Sequence, residues 1–238
     1  MVNRGPRFFA LVPCAGVGQR AGTAGPKQYE WLAGRAVVAH TLAALTAMPR
    51  LTATLVVLAP DDTQFEDHVA GWGDDRRWLA RCGGATRAAS VGNGLTALLA
   101  RGAMLEDWVL VHDAARCLLR PEWVDRLIDA CADDPVGGLL ALPLADTLKQ
   151  ADDGGAHPQV RVAGTVDRTR KWAAQTPQMV RLGLLQRALA AGDAAVTDES
   201  SAVEALGLAP RLVPGELENL KVTWPQDFAL ARRLLETR

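Results

Sequence analysis

Phe8 to Tyr29, FFALVPCAGVGQRAGTAGPKQY, is the stretch that decides the fold. Its apolar opening, Phe8 to Val12, is long enough for a buried strand and too short for a helix. Pro13 ends regular pairing, because it has no N–H to donate. Gly16, Gly18, Gly22 and Gly25 follow, and glycine lets backbone N–H groups turn inward and approach a ligand closely. The charged residues of the loop, Arg20 and Lys27, are both positive. A buried strand running into a glycine-rich, cationic loop suits a polyphosphate. The plain alternative is a surface loop between a strand and a helix. The two common nucleotide loops do not match. Gly16 and Gly18 fit the start of G-x-G-x-x-G, but the third position is Ala21, and Pro26 argues against a helix starting there. The Gly-Lys-Ser/Thr of a P-loop is absent.

Outward from this stretch, apolar runs alternate with helical patterns. Helices are expected over 36–48, 63–71, 86–101 (apolar face Ala89, Leu95, Leu98 and Leu99) and 121–132. Strands are expected over 54–59, 79–82, 108–112 and 138–142. Such alternation predicts an α/β fold with a parallel, doubly wound sheet, in which ligands bind beyond the carboxyl ends of the strands. The segments 13–27, 82–87 and 113–116 should then meet at one cleft. The pattern breaks after Pro143. Two extended segments, 146–150 and 159–166, flank the polar turn 152–155 and read as a protruding hairpin arm that packs on a partner. The chain returns through Thr176-Pro177-Gln178, then helices over 181–191 and 198–206, a strand over 211–213 and a helix over 225–235. The expectation is one domain, 1–238, carrying an arm at about 146–166.

The 238 residues are 49% apolar, enough for a sizeable core, and the net charge of −1 gives no field favouring nucleic acid or membrane. Cys14, Cys82, Cys117 and Cys131 have no metal-binding or C-x-x-C spacing, which suits free thiols in a reducing compartment. No apolar run approaches a membrane span or a signal-peptide core, so a cytoplasmic protein is expected.

Four further segments carry candidate chemistry. Asp113, just past the 108–112 strand, can hold a divalent metal or merely cap a turn, and His112 reads as a satisfied core-edge histidine. The turn Cys82-Gly83-Gly84-Ala85-Thr86 enters a helix that Thr86 can cap. The run 165–171 concentrates positive charge, usually a solvated face. Lys221 lies in an otherwise apolar extended segment, where an unpaired ammonium is costly, so it needs a partner. G-x-S-x-G, H-E-x-x-H and Cys/His clusters are absent, which leaves covalent catalysis and zinc chemistry without support.

Taken together, several motifs resemble the 2-C-methyl-D-erythritol 4-phosphate cytidylyltransferase family of the non-mevalonate isoprenoid pathway. They are P-x-A-G-x-G-x-R from Pro13, Pro26-Lys27-Gln28-Tyr29, G-G-x-x-R-x-x-S-V from Gly83, His112-Asp113-Ala114-Ala115-Arg116, Asp146-Thr147-x-Lys149, Thr165-Val166-Asp167-Arg168, Thr176-Pro177-Gln178, Thr197-Asp198-Glu199 and Asn219-x-Lys221-Val222-Thr223. They run in order along nearly the whole chain. The first belongs to many nucleotidyltransferases, whereas Thr-Val-Asp-Arg and Asn-x-Lys-Val-Thr are more specific.

The resemblance implies a Rossmann-like nucleotidyltransferase fold, a mostly parallel twisted sheet flanked by helices with a protruding β-arm. It implies CTP, methylerythritol phosphate and Mg2+ as reactants and cofactor, and a homodimer joined through the arm. By the same resemblance Arg20, Lys27, Arg168 and Lys221 are catalytic. Ala15, Gly16, Gly18, Lys27, Gly83, Ser90 and Asp113 meet the nucleotide. Asp113, Arg116, Thr147, Arg168, Thr176 and Lys221 surround the second substrate, and Asp113 sits by the metal. Cys14 stands where alanine is common, and Ala85 where some members carry an acidic residue. Two rival readings are another nucleotidyltransferase acting on a sugar phosphate or sugar acid, and a nucleotide-binding protein without turnover.

Overall fold

In the computed structural model the Phe8–Val12 run lies in β1 (Phe8–Pro13), which pairs in parallel with β4 (Leu51–Val57) on one side and β6 (Trp108–Val111) on the other. The structure describes residues 5–16, 18, 21–23, 25–152, 160–191 and 196–238. Between β1 and β4 come the short hairpin β2 (Trp31–Leu32) and β3 (Arg35–Ala36) and helix α1 (Val37–Thr46). Then follow α2 (Phe65–His68), β5 (Arg77–Ala80), α3 (Arg87–Ala100), β6, α4 (Pro121–Cys131) and β7 (Gly137–Pro143). The arm carries β8 (Leu148–Ala151) and β9 (Val162–Val166); β10 (Trp172–Arg181), α5 (Leu182–Ala190), α6 (Glu199–Glu204), β11 (Arg211–Pro214) and α7 (Pro225–Glu236) complete the order.

The seven-stranded sheet has the order β11-β7-β10-β6-β1-β4-β5. β10 is antiparallel to both β6 and β7, while the other pairings are parallel. Side chains alternate along each strand. Ala10, Val12, Trp108 and Leu110 join α1 and α4 in the core on one face. Phe9, Leu11, Val109 and Val111 join α3, α5 and α6 on the other. Burial on both faces is why these strands read as continuous apolar runs rather than alternating ones. A third, smaller core gathers Leu32, Ala115, Leu118, Val222 and Ala231, and seats α7 beside the loop after β6. Among the described residues no helix is long and apolar enough to cross a membrane.

Several expectations need correction. The helix expected over 63–71 is the single turn of α2, since the backbone leaves the helical region at Val69, with φ −136° and ψ 73°. On α3 the buried face is Ser90, Val91, Gly94, Leu95 and Leu98; Ala89 is exposed, because it lies off the stripe that faces β1 and β4. The β2–β3 hairpin occupies residues for which no element was expected, and Ala36 belongs to it rather than to the helix. The largest difference is β10, a sheet strand where only a returning segment was expected. Its pairing with β7 is interrupted between Ala174 and Gln178, so Pro177 sits in a bulge where its missing N–H costs no ladder bond. The arm is a two-stranded antiparallel ribbon, with Leu148 opposite Val166, outside the main sheet. Of the polar turn expected at its tip, Asp153 to Gly155 lie outside the described residues.

Candidate functional site

The loops that follow β1, β5, β6 and β11 converge at the carboxyl edge of the parallel strands. In the first loop, Gly18 has φ +66°, and a Cβ there would lie 2.6 Å from Lys27 Cγ, so glycine lets the lysine stem cross the loop. Lys27 Nζ donates to the Val222 carbonyl at 2.8 Å. Buried Gln28 donates through Nε2 to the carbonyls of Gly16 at 2.9 Å and Cys14 at 3.2 Å, which ties both ends of the loop's first turn to the protein. Burial pushes the Cys14 thiol up to about 12, so it is neutral and unreactive. Arg20 lies outside the described residues.

The second loop holds the Gly83-Gly84 pair. A Cβ at Gly83 would collide with Ala15 Cβ and lie 2.8 Å from the Leu58 carbonyl; one at Gly84 would lie 2.6 Å from Ala89 Cβ. Gly84 N–H donates to Ser90 Oγ at 3.0 Å, and Thr86 caps α3 by accepting from Ala89 N–H at 3.0 Å. Gly83 therefore backs Ala15 in the loop wall, while Gly84 faces the cleft.

The third loop carries Asp113, whose main chain and carboxylate are held separately. Asp113 N–H donates to Thr176 Oγ1 at 3.0 Å, and Thr176 Oγ1 lies 3.0 Å from His112 Nδ1. His112 Nε2 lies 3.3 Å from the Arg116 carbonyl, which can only accept. Nε2 therefore carries the proton, Nδ1 accepts from Thr176, and His112 is neutral. Burial holds it at about 4, far below an ordinary histidine. The carboxylate meets three cations: Arg87 Nε at 3.1 Å on Oδ1, and Lys221 Nζ at 2.9 Å and Arg116 Nε at 3.5 Å on Oδ2. Burial alone would raise the Asp113 carboxyl, but Arg87, Lys221 and Arg116 together outweigh it and hold it well below the usual carboxylate range. Lys221 thus has the partner its apolar surroundings demanded.

Two cavities open here. The first, of about 250 Å3, is lined by Pro13 to Gly16 and Gly18 of the β1 loop, Lys27, Gln28, the 84–87 turn, Ser90, Asp113 and Lys221. The second, of about 180 Å3, is lined by Arg116, the 174–176 segment, Gln178, Thr197 and Asp198. Both share Arg87, Asp113 and Lys221. Ala15, Gly16, Gly18, Lys27, Ser90 and Asp113 thus line the first, and Arg116, Thr176, Asp113 and Lys221 the second. Thr147 and Arg168 stand exposed on the arm and line neither cavity of their own chain.

Arg87 and Glu199 received no role from the sequence, although both lie in motifs that carry the resemblance. Glu199 is fully buried and grips Arg87 with both oxygens, at 2.6 and 3.1 Å. One signal was legible. Arg87 opens α3, where the helix dipole disfavours a cation, so a carboxylate partner was to be expected.

Among the described residues no group of three or more His, Cys, Asp or Glu side chains converges on a metal position. A carboxylate oxygen accepts more than one partner, so Asp113 can still supply one ligand to a divalent ion carried by a polyphosphate.

Two anion-sized cavities meeting over one ionised carboxylate and shared cations suit the joining of two phosphates, which is the task of a nucleotidyltransferase. The comparisons narrow that class. The family model described as IspD: 2-C-methyl-D-erythritol 4-phosphate cytidylyltransferase matches residues 8–237, and the chain belongs to that family. It is 58% identical over 231 residues to the enzyme of that name from Laribacter hongkongensis, covering 96% of each chain. It is 60% identical over 233 residues to the bifunctional enzyme IspD/IspF of Albidiferax ferrireducens, covering 98% of this chain but 54% of that protein. Among solved structures, a 4-diphosphocytidyl-2C-methyl-D-erythritol synthase superposes with a TM-score of 0.83 at 41% identity, covering 97% of this chain and 99% of the other. The Francisella tularensis enzyme gives 0.79 at 30%, covering 96% and 99%. The chain is accordingly a cytidylyltransferase that moves the cytidylyl group of CTP to 2-C-methyl-D-erythritol 4-phosphate and releases pyrophosphate, a step of isoprenoid precursor synthesis. Nucleotidyltransferases of this kind generally depend on a divalent metal.

Proposed function

We propose that the first cavity receives CTP, the second receives methylerythritol phosphate, and the two react across the Arg87–Asp113–Lys221 wall. The observation that carries this division is that the same three side chains line both cavities. An oxygen of the acceptor phosphate attacks the α-phosphorus of CTP. A P–O bond forms there, the bond to the β-phosphate oxygen breaks, and pyrophosphate leaves with the electron pair. Both reactants are anions, so alignment and charge neutralisation do the chemistry. Lys27 and Arg20 neutralise the α-phosphate and the leaving pyrophosphate. Lys221 and Arg168 hold the acceptor phosphate, with Arg116, Thr147 and Thr176 around the rest of that substrate. The backbone of Gly84 and Ala85, at the capped start of α3, reads the base. Asp113 would hold a Mg2+ ion brought in by the triphosphate, and the ion would supply charge neutralisation on the nucleotide.

The arm supports a homodimer in the same reading. Val160 and Val162 are exposed apolar residues on the arm, whose β8–β9 ladder is separate from that of the main sheet. Arg168 at its base then enters the acceptor cavity of the partner. Four unpaired cysteines suit a cytoplasmic setting. Pyrophosphate release from CTP, measured with and without methylerythritol phosphate and repeated with UTP, ATP and GTP, tests the assignment. Release that needs the acceptor and prefers CTP is expected, and release without it or with equal use of a purine nucleotide overturns it.

A further inference from the structure

The mechanism just given leaves Glu199 unused, and Glu199 lines neither cavity. It is the first residue of α6, directly after Asp198, whose carboxylate caps that helix through Ser201 N–H at 2.9 Å and accepts from Gln178 Nε2 at 2.8 Å. Helix capping is thus already supplied by its neighbour. Both Glu199 oxygens instead go to Arg87, the residue that opens α3.

Arg87 is held between two carboxylates. Its Nη1 and Nη2 face Glu199, which leaves Nε for Asp113 at 3.1 Å. An arginine fork prefers a bidentate grip on one carboxylate. Without Glu199 the fork is free to turn onto Asp113, the carboxylate within its reach. Asp113 already serves Lys221 at 2.9 Å and Arg116 at 3.5 Å. A bidentate Arg87 would compete for the oxygen that Lys221 uses. Neutralising Glu199 would also change the charge of the shared wall. At present three cations face two carboxylates there, which leaves one net positive charge for two anionic substrates.

We propose that Glu199 is a positioning residue for the reaction: by occupying the fork of Arg87 it keeps Asp113 paired with Lys221, and so fixes the lysine that faces the acceptor cavity. The inference rests on the reading of that cavity as the site of the second, phosphate-bearing substrate.

The test uses the full chain and two variants. Glu199→Gln keeps the size of the side chain and removes its charge, whereas Glu199→Asp keeps the charge and shortens the reach. The first measurement needs no turnover. Lys221 is labelled in the free protein with an amine-acylating reagent and read by peptide mass spectrometry, with the exposed arm lysines Lys149 and Lys171 as internal references. Labelling of Lys221 is expected to rise severalfold in Glu199→Gln relative to those references, and equal labelling in wild type and variant overturns the proposal. The second measurement is steady-state kinetics. Glu199→Gln is expected to raise KM for methylerythritol phosphate and lower kcat by about tenfold or more, a loss in the range that small misplacement of a reacting group produces. KM for CTP should move less, and Glu199→Asp should retain more activity than Glu199→Gln. The opposite order, with the isosteric amide tolerated and the shorter acid inactive, assigns Glu199 a packing role and also overturns the proposal. A wild-type protein that turned over no CTP with this acceptor would defeat the substrate assignment, and the labelling result would still decide the role of Glu199.

Discussion

Asp113 Oδ2 accepts a hydrogen bond from Lys221 Nζ at 2.9 Å, which ties the end of β6 to the segment between β11 and α7. The pair closes the cleft between the two cavities, so its loss should be felt in the chemical step. Asp113→Asn preserves shape, but it leaves Arg87, Arg116 and Lys221 without their common anion. A fall in kcat on the order of 10²–10³ is expected, the size of effect seen when one preorganised electrostatic contact is removed. Initial rates of pyrophosphate release at saturating substrates measure it, and a near-normal kcat would remove Asp113 from the mechanism.

Lys27 reaches across the glycine loop to the carbonyl of Val222, the residue after Lys221, at 2.8 Å, and it lines the first cavity. Lys27→Ala is expected to lower kcat on the order of 10²–10³ while the protein stays folded, because the side chain is only half-buried in a loop. Circular dichroism together with kcat separates the two effects. Retained turnover would show that the leaving group is neutralised elsewhere.

Gly83 tests the wall behind the cavity proposed for CTP. Alanine there would collide with Ala15 and crowd the Leu58 carbonyl. Backbone on one side cannot yield, so Ala15 and the β1 loop must shift. Gly83→Ala should cost about 1–3 kcal/mol of stability, as overpacking does, and raise KM for CTP more than KM for the acceptor. A variant with wild-type stability and unchanged CTP kinetics would mean the wall is looser than its geometry.

His112 sets a pH dependence of stability. Its folded value is about 4 against an ordinary 6.5, so between these the unfolded chain binds the extra proton and the folded chain does not. Stability therefore falls as pH falls through this window. Between pH 7 and 5 the histidine contributes a loss of about 2 kcal/mol. Burial pushes the Glu199 carboxyl up, which acts in the opposite sense, and the depressed Asp113 contributes only at lower pH. The comparison of wild type with His112→Gln isolates the histidine. Denaturant unfolding at the two pH values should show the shallower dependence in the variant, and equal slopes would mean that the folded chain protonates His112 as readily as the unfolded chain does.

What the sequence made legible follows from what each residue must satisfy locally. The Phe8–Val12 run, the glycine loop and the strand before His112 declare themselves by apolar continuity and by glycine, and each stands where strand–helix alternation puts it. The antiparallel β10 did not declare itself, because Pro177 reads as a strand breaker until the bulge around it is seen. Arg116 and Thr176 came from motif resemblance alone, since their chemistry depends on partners far along the chain: Arg116 Nη1 donates to the Asn219 carbonyl at 2.6 Å, and Thr176 bridges Asp113 and His112. Glu199 is the hardest case. A glutamate at the start of a helix is ordinary on any surface, and only tertiary structure buries it against Arg87.

Arg168 and Lys221 offer the last test, because the fold separates them. Lys221 lines both cavities, while Arg168 stands exposed beyond β9, its carbonyl accepting from Lys171 N–H at 3.0 Å. If the arm carries Arg168 into the partner's acceptor cavity, each complete site draws on two chains. Arg168→Ala and Lys221→Ala should each be nearly inactive alone, with KM for methylerythritol phosphate raised and KM for CTP much less affected. In a heterodimer of the two, one site recovers both native residues and the other loses both. Unfolded together and refolded as an equal mixture, the variants pair at random. Half the dimers are then mixed with one working site each, so activity should return to about a quarter of wild type. Arg168→Lys should also fail despite its retained charge, since a planar fork matches phosphate and a point charge does not. Activity that stays at the level of the separate variants after mixing would place Arg168 and Lys221 in the same chain's site or remove the arm from catalysis.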